Sequence, residues 1–456
     1  MNQLNSKAII LHFLLYISCS IYCFAQQTEF DTTKKYPVEE LKSDLNYLIQ
    51  KFEKRHPNLY LYTPENEMTT LFDSIRNSIN QPLTEREFYN LISILNSKIK
   101  DGHSMILPSI AATEYYNSNC SFLPFYFYIT ANSIRVTMNC SSNSLIKEGS
   151  AILSINGKPT EILLSELIKR SVRDGENNTY PFWILTNYFK EYYSFSYGHP
   201  ASYQIKFIDA EKGEQTVSID ALKKDSIKYY KNLRYTVSES KSDIGKGILL
   251  YINDTISTAV LTIKSFDRQI LKEKYGQQFS KTINKAFEQI KNKKAENLIV
   301  DLRNNQGGDF EPGRELLSYL VKEPIIYLEG SSQQRTINPA KNAFQNKVYI
   351  LINGGSFSNS GIVSSYLAIS KRAVFYGEET AGNSTILSGE PIDIVLPKTG
   401  LYCQISTQSY HISKDKRDAH GVQPDFLIQP TIESIITGKD EILEAVIAKI
   451  NTELKK

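Results

Sequence analysis

The sequence predicts a multidomain chain of the α+β and α/β type: an N-terminal helical region, a β-rich middle and a C-terminal α/β region. Three observations predict it. Val38, Leu41, Leu45, Leu48, Ile49 and Phe52 open the folded part at helical spacing. From about Phe122 to Leu222 the pattern turns to short strands. From about Ile244 onward strand-like and helix-like segments alternate, as in a sheet with helical crossovers. A length of 456 residues allows two or three domains, which we place at 26–110, 111–240 and 241–456 after an N-terminal segment 1–25.

That first segment reads as a signal peptide. Lys7 precedes the apolar run Ala8–Cys23, and Cys23-Phe24-Ala25 offers small residues for cleavage before Gln26. The run is short for a membrane span and contains His12, Ser18 and Ser20, so export is favoured over a retained anchor. A periplasmic or secreted protein is expected. Tyr16-Ile17-Ser18-Cys19 is a poor lipidation box, which makes a lipoprotein the lesser alternative. Peripheral membrane association stays open, and the sequence sets no oligomeric state.

Within the first region, His56-Pro57-Asn58 ends the first helix, because a residue before proline disfavours helical backbone. A second helix spans roughly Glu65 to Ile79. A third opens on the capping box Thr84-Glu85-Arg86-Glu87 and ends near Lys100, leading into Asp101-Gly102-His103-Ser104. In the middle region Phe125–Ile129 and Ile134–Asn139 read as a hairpin. A strand closed by the Asn156-Gly157 turn and a helix over Glu161–Ser171 follow. The aromatic stretch Tyr180–Tyr197 either lines a groove or packs a core. In the last region strands are expected at Thr258–Ile263, Asn297–Leu302, Val348–Ile352 and Ala373–Tyr376. Helices are expected at Gln277–Asn292, Pro312–Val321 and Asn359–Ser370, and a hairpin joins Pro391–Leu396 to Tyr402–Ser409.

Composition excludes some functions. A net charge of +3 is too mild to argue for nucleic acid. Phosphate loop, dinucleotide fingerprint and metalloprotease helix are absent, as are Cys-x-x-Cys and His/Cys clusters, so no metal or cofactor is expected. Cys120, Cys140 and Cys403 remain after cleavage. A Cys120–Cys140 bridge and three unpaired thiols are both open readings.

The chemistry sits in two strand-end turns. Val348–Ile352 runs through Gly354-Gly355 into Ser356-Phe357-Ser358-Asn359-Ser360 and a helix. Such a junction lifts a hydroxyl beside helix N-terminal N–H groups, where an anion is stabilised. Asn304-Asn305-Gln306-Gly307-Gly308 closes the preceding strand and can aim further N–H groups at the same point. The bland alternative is that the serines cap a helix and the glycines make a turn.

Four ordered segments resemble the tail-specific, or carboxy-terminal processing, serine peptidases and their tricorn-like relatives. They are Asp101–Ser104, Asp301–Gly308, Ser356–Ser360 and Gly421-Val422-Gln423-Pro424-Asp425. The resemblance implies a PDZ-like middle, although a Gly-Leu-Gly-Phe carboxylate loop is not evident, and a ClpP/crotonase-like catalytic domain. It implies Ser358 as nucleophile, with the N–H of Asn359 and one from Gly307 or Gly308 as oxyanion hole. The processing peptidases place a lysine base where this chain has Asn383, in Thr380-Ala381-Gly382-Asn383, so that dyad does not carry over. The tricorn-like members use a histidine that His103 matches, and a late carboxylate that Asp418 matches loosely. Glu378, Glu379 and Asp415 are rivals for the carboxylate, and His420, His199 and His411 for the base. Asp301 and Arg303 are read as fixing their loop.

The implied activity is hydrolysis of peptides or unfolded protein C-termini without a cofactor. The alternative is a non-catalytic binder of peptides or apolar ligands on the same fold, which the loss of the lysine and the aromatic stretch would favour.

Overall fold

The computed structural model describes residues 30–209, 212–235, 245–413 and 419–454. The expected signal segment and Asp415 and Asp418 lie outside the described residues. Among the described residues, no helix is long and apolar enough to cross a membrane.

Helices Val38–Arg55 and Glu65–Ser78 form as their apolar stripes predict, burying Leu41, Leu45, Leu48 and Phe52 on one and Met68, Phe72 and Ile75 on the other. The capping box is complete, with the amide of Glu87 donating to Thr84 Oγ1 and the amide of Thr84 to the Glu87 carboxylate. The third helix is shorter than expected. It stops at Ile92, and a separate turn of helix, Leu95–Ile99, ends on Lys100 in the left-handed region (φ 57°). The break lets Asn96 point inward, where it bonds both backbone groups of Ile106 at 2.8 and 3.1 Å. The chain then reverses into Asp101–Ser104 and the strand Met105–Leu107, which pairs antiparallel with Tyr402–Ile405. The N-terminal helices therefore share a core with Leu401, Cys403 and Ile405 of the last region.

The middle region is an antiparallel sheet of Phe125–Thr130, Ser133–Asn139, Ala151–Ile155, Ser202–Asp209 and Gly213–Asp220, in that order. Asn156 and Gly157 both take positive φ (51° and 74°), as the tight turn predicted there requires. Helix Thr160–Ile168 follows. The aromatic stretch is a helix, Thr179–Tyr197, kinked at Tyr188. It is buried on nearly all sides, so it lacks the one-sided periodicity that marks a surface helix. It covers the edge strand Phe125–Thr130: Phe189 meets Phe127 at 4.8 Å, and Thr186 Oγ1 accepts the Ile129 amide at 3.0 Å.

The last region is built on a six-stranded sheet in the order Ile248–Asn253, Thr258–Ile263, Asn297–Asp301, Lys347–Ile352, Ala373–Gly377, Phe426–Leu427. The first pair is antiparallel and the rest are parallel. Alternate side chains serve two cores. Leu298, Val300, Val348 and Ile350 face helices Phe279–Asn292, Phe310–Leu320 and Asn359–Ile369. Ile299, Tyr349 and Leu351 face Ile442, Val446 and Ile450 of the C-terminal helix Glu441–Leu454. The expected C-terminal hairpin forms between Ile392–Val395 and Tyr402–Ile405. Its second arm is split, however, because Gln408–His411 turns away to pair with Ile386–Gly389. Cys120, Cys140 and Cys403 are all free thiols, which settles the bridge against Cys120–Cys140.

Candidate active site

Asn297–Asp301 and Lys347–Ile352 are adjacent parallel strands, so their C-terminal turns lie side by side. The first turn is fixed from beneath. Arg303 holds both carboxylate oxygens of Asp301 (2.9 and 2.6 Å) and both of Asp440 (2.8 and 2.7 Å). Asn305, fully buried, donates to the Ile263 carbonyl at 2.9 Å, while its own carbonyl accepts the Phe357 amide at 3.0 Å. The second turn is fixed by Ser356, whose hydroxyl donates to the Leu302 carbonyl at 2.9 Å and accepts the Asn353 amide at 3.1 Å. Ser360 is wholly buried and its hydroxyl has no partner among the described residues.

Of the three serines, Ser358 faces the cleft. It adopts φ 53° and ψ −124°, a backbone region rarely taken by a residue with a side chain, and it caps helix Asn359–Ile369. That strained corner aims Oγ away from the helix. His103 Nε2 lies 3.0 Å from it, across 255 residues of sequence. The imidazole is 3% exposed and rests on the Phe357 ring at 4.5 Å, which in turn stacks on Tyr180 at 4.7 Å. Burial depresses the basicity of His103 below the ordinary histidine value, partly opposed by the charge on Asp101. A neutral ring at neutral pH is what a proton acceptor for a hydroxyl needs.

The two glycines have different surroundings. The Gly307 amide already donates to Asn305 Oδ1 at 2.9 Å. Among the described residues no acceptor takes the amides of Gly308 or Asn359. Gly307 is needed for clearance, since a Cβ there would lie 2.7 Å from Ser358 Cβ. The open donors of these two turns are thus Gly308, which lines the same cleft as Ser358, and Asn359, the residue after it, and Gly307 joins them only by sharing its amide. The Asn359 side chain is held by Tyr327 Oη at 3.0 Å and by the Asp309 carbonyl, so its backbone position is well determined.

Other expected residues are placed elsewhere. Asn383 organises its own turn: its side-chain oxygen accepts the amides of Thr385 (2.7 Å) and Ile386 (3.0 Å), and Nδ2 donates to Tyr62 Oη at 2.8 Å. His420 is half-exposed and bonds Glu379 Oε1 at 3.1 Å. His199 packs on Tyr116 and bonds the Ser121 carbonyl. Glu378 is raised above the usual carboxylate range by burial and lines the cleft. Asp425, in the last matching segment, accepts the Phe375 amide at 2.8 Å and so fixes the sheet edge.

Residues that sequence reasoning passed over also support the site. His56 and Asp101, 45 positions apart, are joined at 2.8 Å, and no spacing in the sequence signals this pair. Trp183 bonds Asn304, and Asn177 and Thr179 bond the carbonyls of Thr380 and Glu379, so the start of the aromatic helix braces the Asn304–Gly308 turn and the Thr380–Asn383 segment. The resulting cleft, about 670 Å³, is lined by Ser358, His103, Trp183, Phe310, Leu387 and Tyr410, among others. Among the described residues no group of three or more His, Cys, Asp or Glu is placed to hold a metal ion.

Residues 257–428 match the model of Peptidase family S41. Carboxyl-terminal-processing peptidase 2, chloroplastic, from Arabidopsis thaliana is 33% identical over 119 residues, 25% of this chain and 23% of that protein. The carboxyl-terminal-processing protease of Synechocystis sp. is 29% identical over 165 residues, 33% of this chain and 36% of that protein. The tail-specific protease of Haemophilus influenzae is 22% identical over 167 residues, 35% of this chain and 24% of that protein. The matched stretches thus span between about a quarter and a third of these relatives' own length. Among solved structures, mature CPAF shares the fold over 91% of this chain and 98% of its own, with a TM-score of 0.67 at 14% identity.

Proposed function

We propose that this chain, a member of peptidase family S41, is a serine-type peptidase with Ser358 as nucleophile and His103 as base. The observation that carries the reading is the 3.0 Å approach of a buried imidazole to a hydroxyl held on a strained corner at a helix N-terminus. Ser358 Oγ attacks the scissile carbonyl as its proton passes to His103 Nε2. The tetrahedral oxyanion is received by the amides of Asn359 and Gly308, and each such preset donor is worth about 3–4 kcal/mol. His103 then gives its proton to the leaving amine, and the C–N bond breaks. Water, deprotonated by the same ring, hydrolyses the acyl-serine ester and frees the carboxylate.

The cleft suits an extended peptide, and the relatives' names support the C-terminal ends of proteins as substrate. Peptides or unfolded exported proteins are the substrate class we favour, with the chain itself exported behind its N-terminal signal segment. The PDZ-like reading of the middle sheet is retained as architecture. Peptide capture along strand Phe125–Thr130 is disfavoured, because the aromatic helix occupies it and Thr186 takes an edge amide. The binding-protein alternative gains nothing from a hydroxyl and an imidazole at hydrogen-bond distance.

The test is hydrolysis of an unfolded protein substrate by the mature chain, followed by mass analysis of the fragments. The wild type is expected to cleave and Ser358→Ala to be inert. Equal cleavage by both would overturn the assignment.

A further inference from the structure

We propose that Asp101 is the carboxylate that positions His103 and stabilises its protonated form, and that His56 is the group that keeps Asp101 oriented. This rests on the reading of His103 as base. His103 Nδ1 is buried without a hydrogen-bond partner among the described residues, and Asp101 Oδ1 lies 4.0 Å from it. The same Oδ1 accepts the backbone amide of His103 at 2.9 Å, which ties carboxylate and imidazole into one turn. Oδ2 is saturated from the other side, by His56 Nε2 at 2.8 Å and Ser104 Oγ at 2.6 Å.

The proton positions follow from the partners. The Asn58 amide donates to His56 Nδ1 at 3.1 Å, so the His56 proton sits on Nε2 and points at Asp101. Ser104 Oγ accepts the Ser406 amide at 3.0 Å and gives its own proton to Asp101. Every hydrogen-bond partner of the carboxylate is thus a donor: the His103 amide and Ser104 Oγ from its own turn, and His56 Nε2 from the end of the first helix. Burial pushes the Asp101 carboxyl up, but these bonds and the neighbouring histidines outweigh it and hold it well below the usual carboxylate range.

Tyr62, Asp174 and Tyr180 are the titratable groups packed round the cluster, and burial holds all three toward their neutral, protonated forms. On the cleft side Lys264, Asp267, Lys274, Asp301, Arg303, Asp309, Glu378 and Glu390 line the same cavity. When Ser358 transfers its proton, Nδ1–H and Nε2–H of His103 are both occupied. A small rotation about the side chain then closes the 4.0 Å gap into a charge-assisted hydrogen bond with Oδ1. Asp101 stays ionised throughout and takes no proton.

The test follows covalent inactivation of the full mature chain by a fluorophosphonate as a function of pH, in wild type, Asp101→Asn and Asp418→Asn. With Asp101→Asn the rate is expected to fall at least tenfold and its acidic limb to move down by about one pH unit, because an opposite charge at this range raises a histidine's pKa by that order. Asp418→Asn is expected to leave the limb in place. A merely structural Asp101 would lower the rate without moving the limb, and a limb moved by Asp418→Asn alone would assign the role to Asp418. Either overturns the inference while leaving Ser358 and His103 in place, whereas an unreactive wild type fails the peptidase reading as well. Should Asp101→Asn not fold, the crystal structure of the wild-type adduct decides. His103 Nδ1 within about 3.2 Å of Asp101 Oδ1 supports the inference, and a gap still open or closed by another carboxylate overturns it.

Discussion

Trp183 donates its indole N–H to Asn304 Oδ1 at 2.7 Å, and Asn304 in turn is bonded to Asn353 through its amide (2.9 Å) and its side chain (3.0 Å). One indole thereby braces both turns that form the site. Gly355 lies directly under it, where a Cβ would come within 2.3 Å of Trp183 Nε1. Trp183→Phe keeps an aromatic ring and loses the bond. We expect kcat/KM to fall about three- to tenfold, the scale of one hydrogen bond, with little change in Tm. An unchanged kcat/KM would show that the turns hold their shape unaided.

The backbone of Ser358 is held at φ 53° and ψ −124° for the sake of its hydroxyl. Glycine occupies that region without strain. Ser358→Gly should therefore raise stability to denaturant by about 1 kcal/mol while removing all turnover. A destabilised Ser358→Gly would mean that the corner carries no strain.

Asn383 stands where lysine-using relatives have their base, but its side chain satisfies the amides of Thr385 and Ile386. Lysine cannot accept those bonds. Asn383→Lys is expected to cost about 2 kcal/mol or more of stability, because buried amides lose their acceptor. In a His103→Ala background it should restore no activity. Recovered turnover in that double variant would show that the lysine route survives in this fold.

Asp101 and Asp174 respond to pH in opposite senses. The depressed Asp101 carboxyl contributes stability that is present above the unfolded value of about 3.9 and is lost as pH falls through its folded value. Burial, with the charge on Asp101 added, raises Asp174 well above the usual range, so the folded protein keeps a proton there that the unfolded chain gives up. Stability from this site falls as pH climbs from about 3.9 toward the folded value. Asp174→Asn, which can still accept the Asn383 amide, should be stabilising at alkaline pH and neutral in acid, as thermal melts against pH would show. A pH-independent difference in Tm would contradict this.

Much of this arrangement could be read from residue order because the signals were local. Strands such as Asn297–Asp301 are continuous apolar runs closed by glycine turns, and helix Glu85–Ile92 announces itself by its cap. Ser358 and His103 are singled out by the resemblance of their segments to the tail-specific peptidases and their tricorn-like relatives, since the turn chemistry alone is equally that of a serine capping a helix. What stayed hidden depends on distant contacts. Helix Thr179–Tyr197 has apolar and aromatic residues on all sides, so only its packing on the middle sheet and the site turns defines it. The break at Ser93–Ile94 follows from Asn96 reaching Ile106. The His56–Asp101 pair and the engagement of the Gly307 amide by Asn305 are likewise products of folding, with no periodic trace.

The central claim is that Ser358 is an activated nucleophile. The most direct measurement is labelling of the purified mature protein with a fluorophosphonate and location of the adduct by mass spectrometry, beside His103→Ala. The account predicts a single adduct on Ser358 that weakens sharply in the variant. No adduct on Ser358, or one formed equally fast without His103, would contradict it.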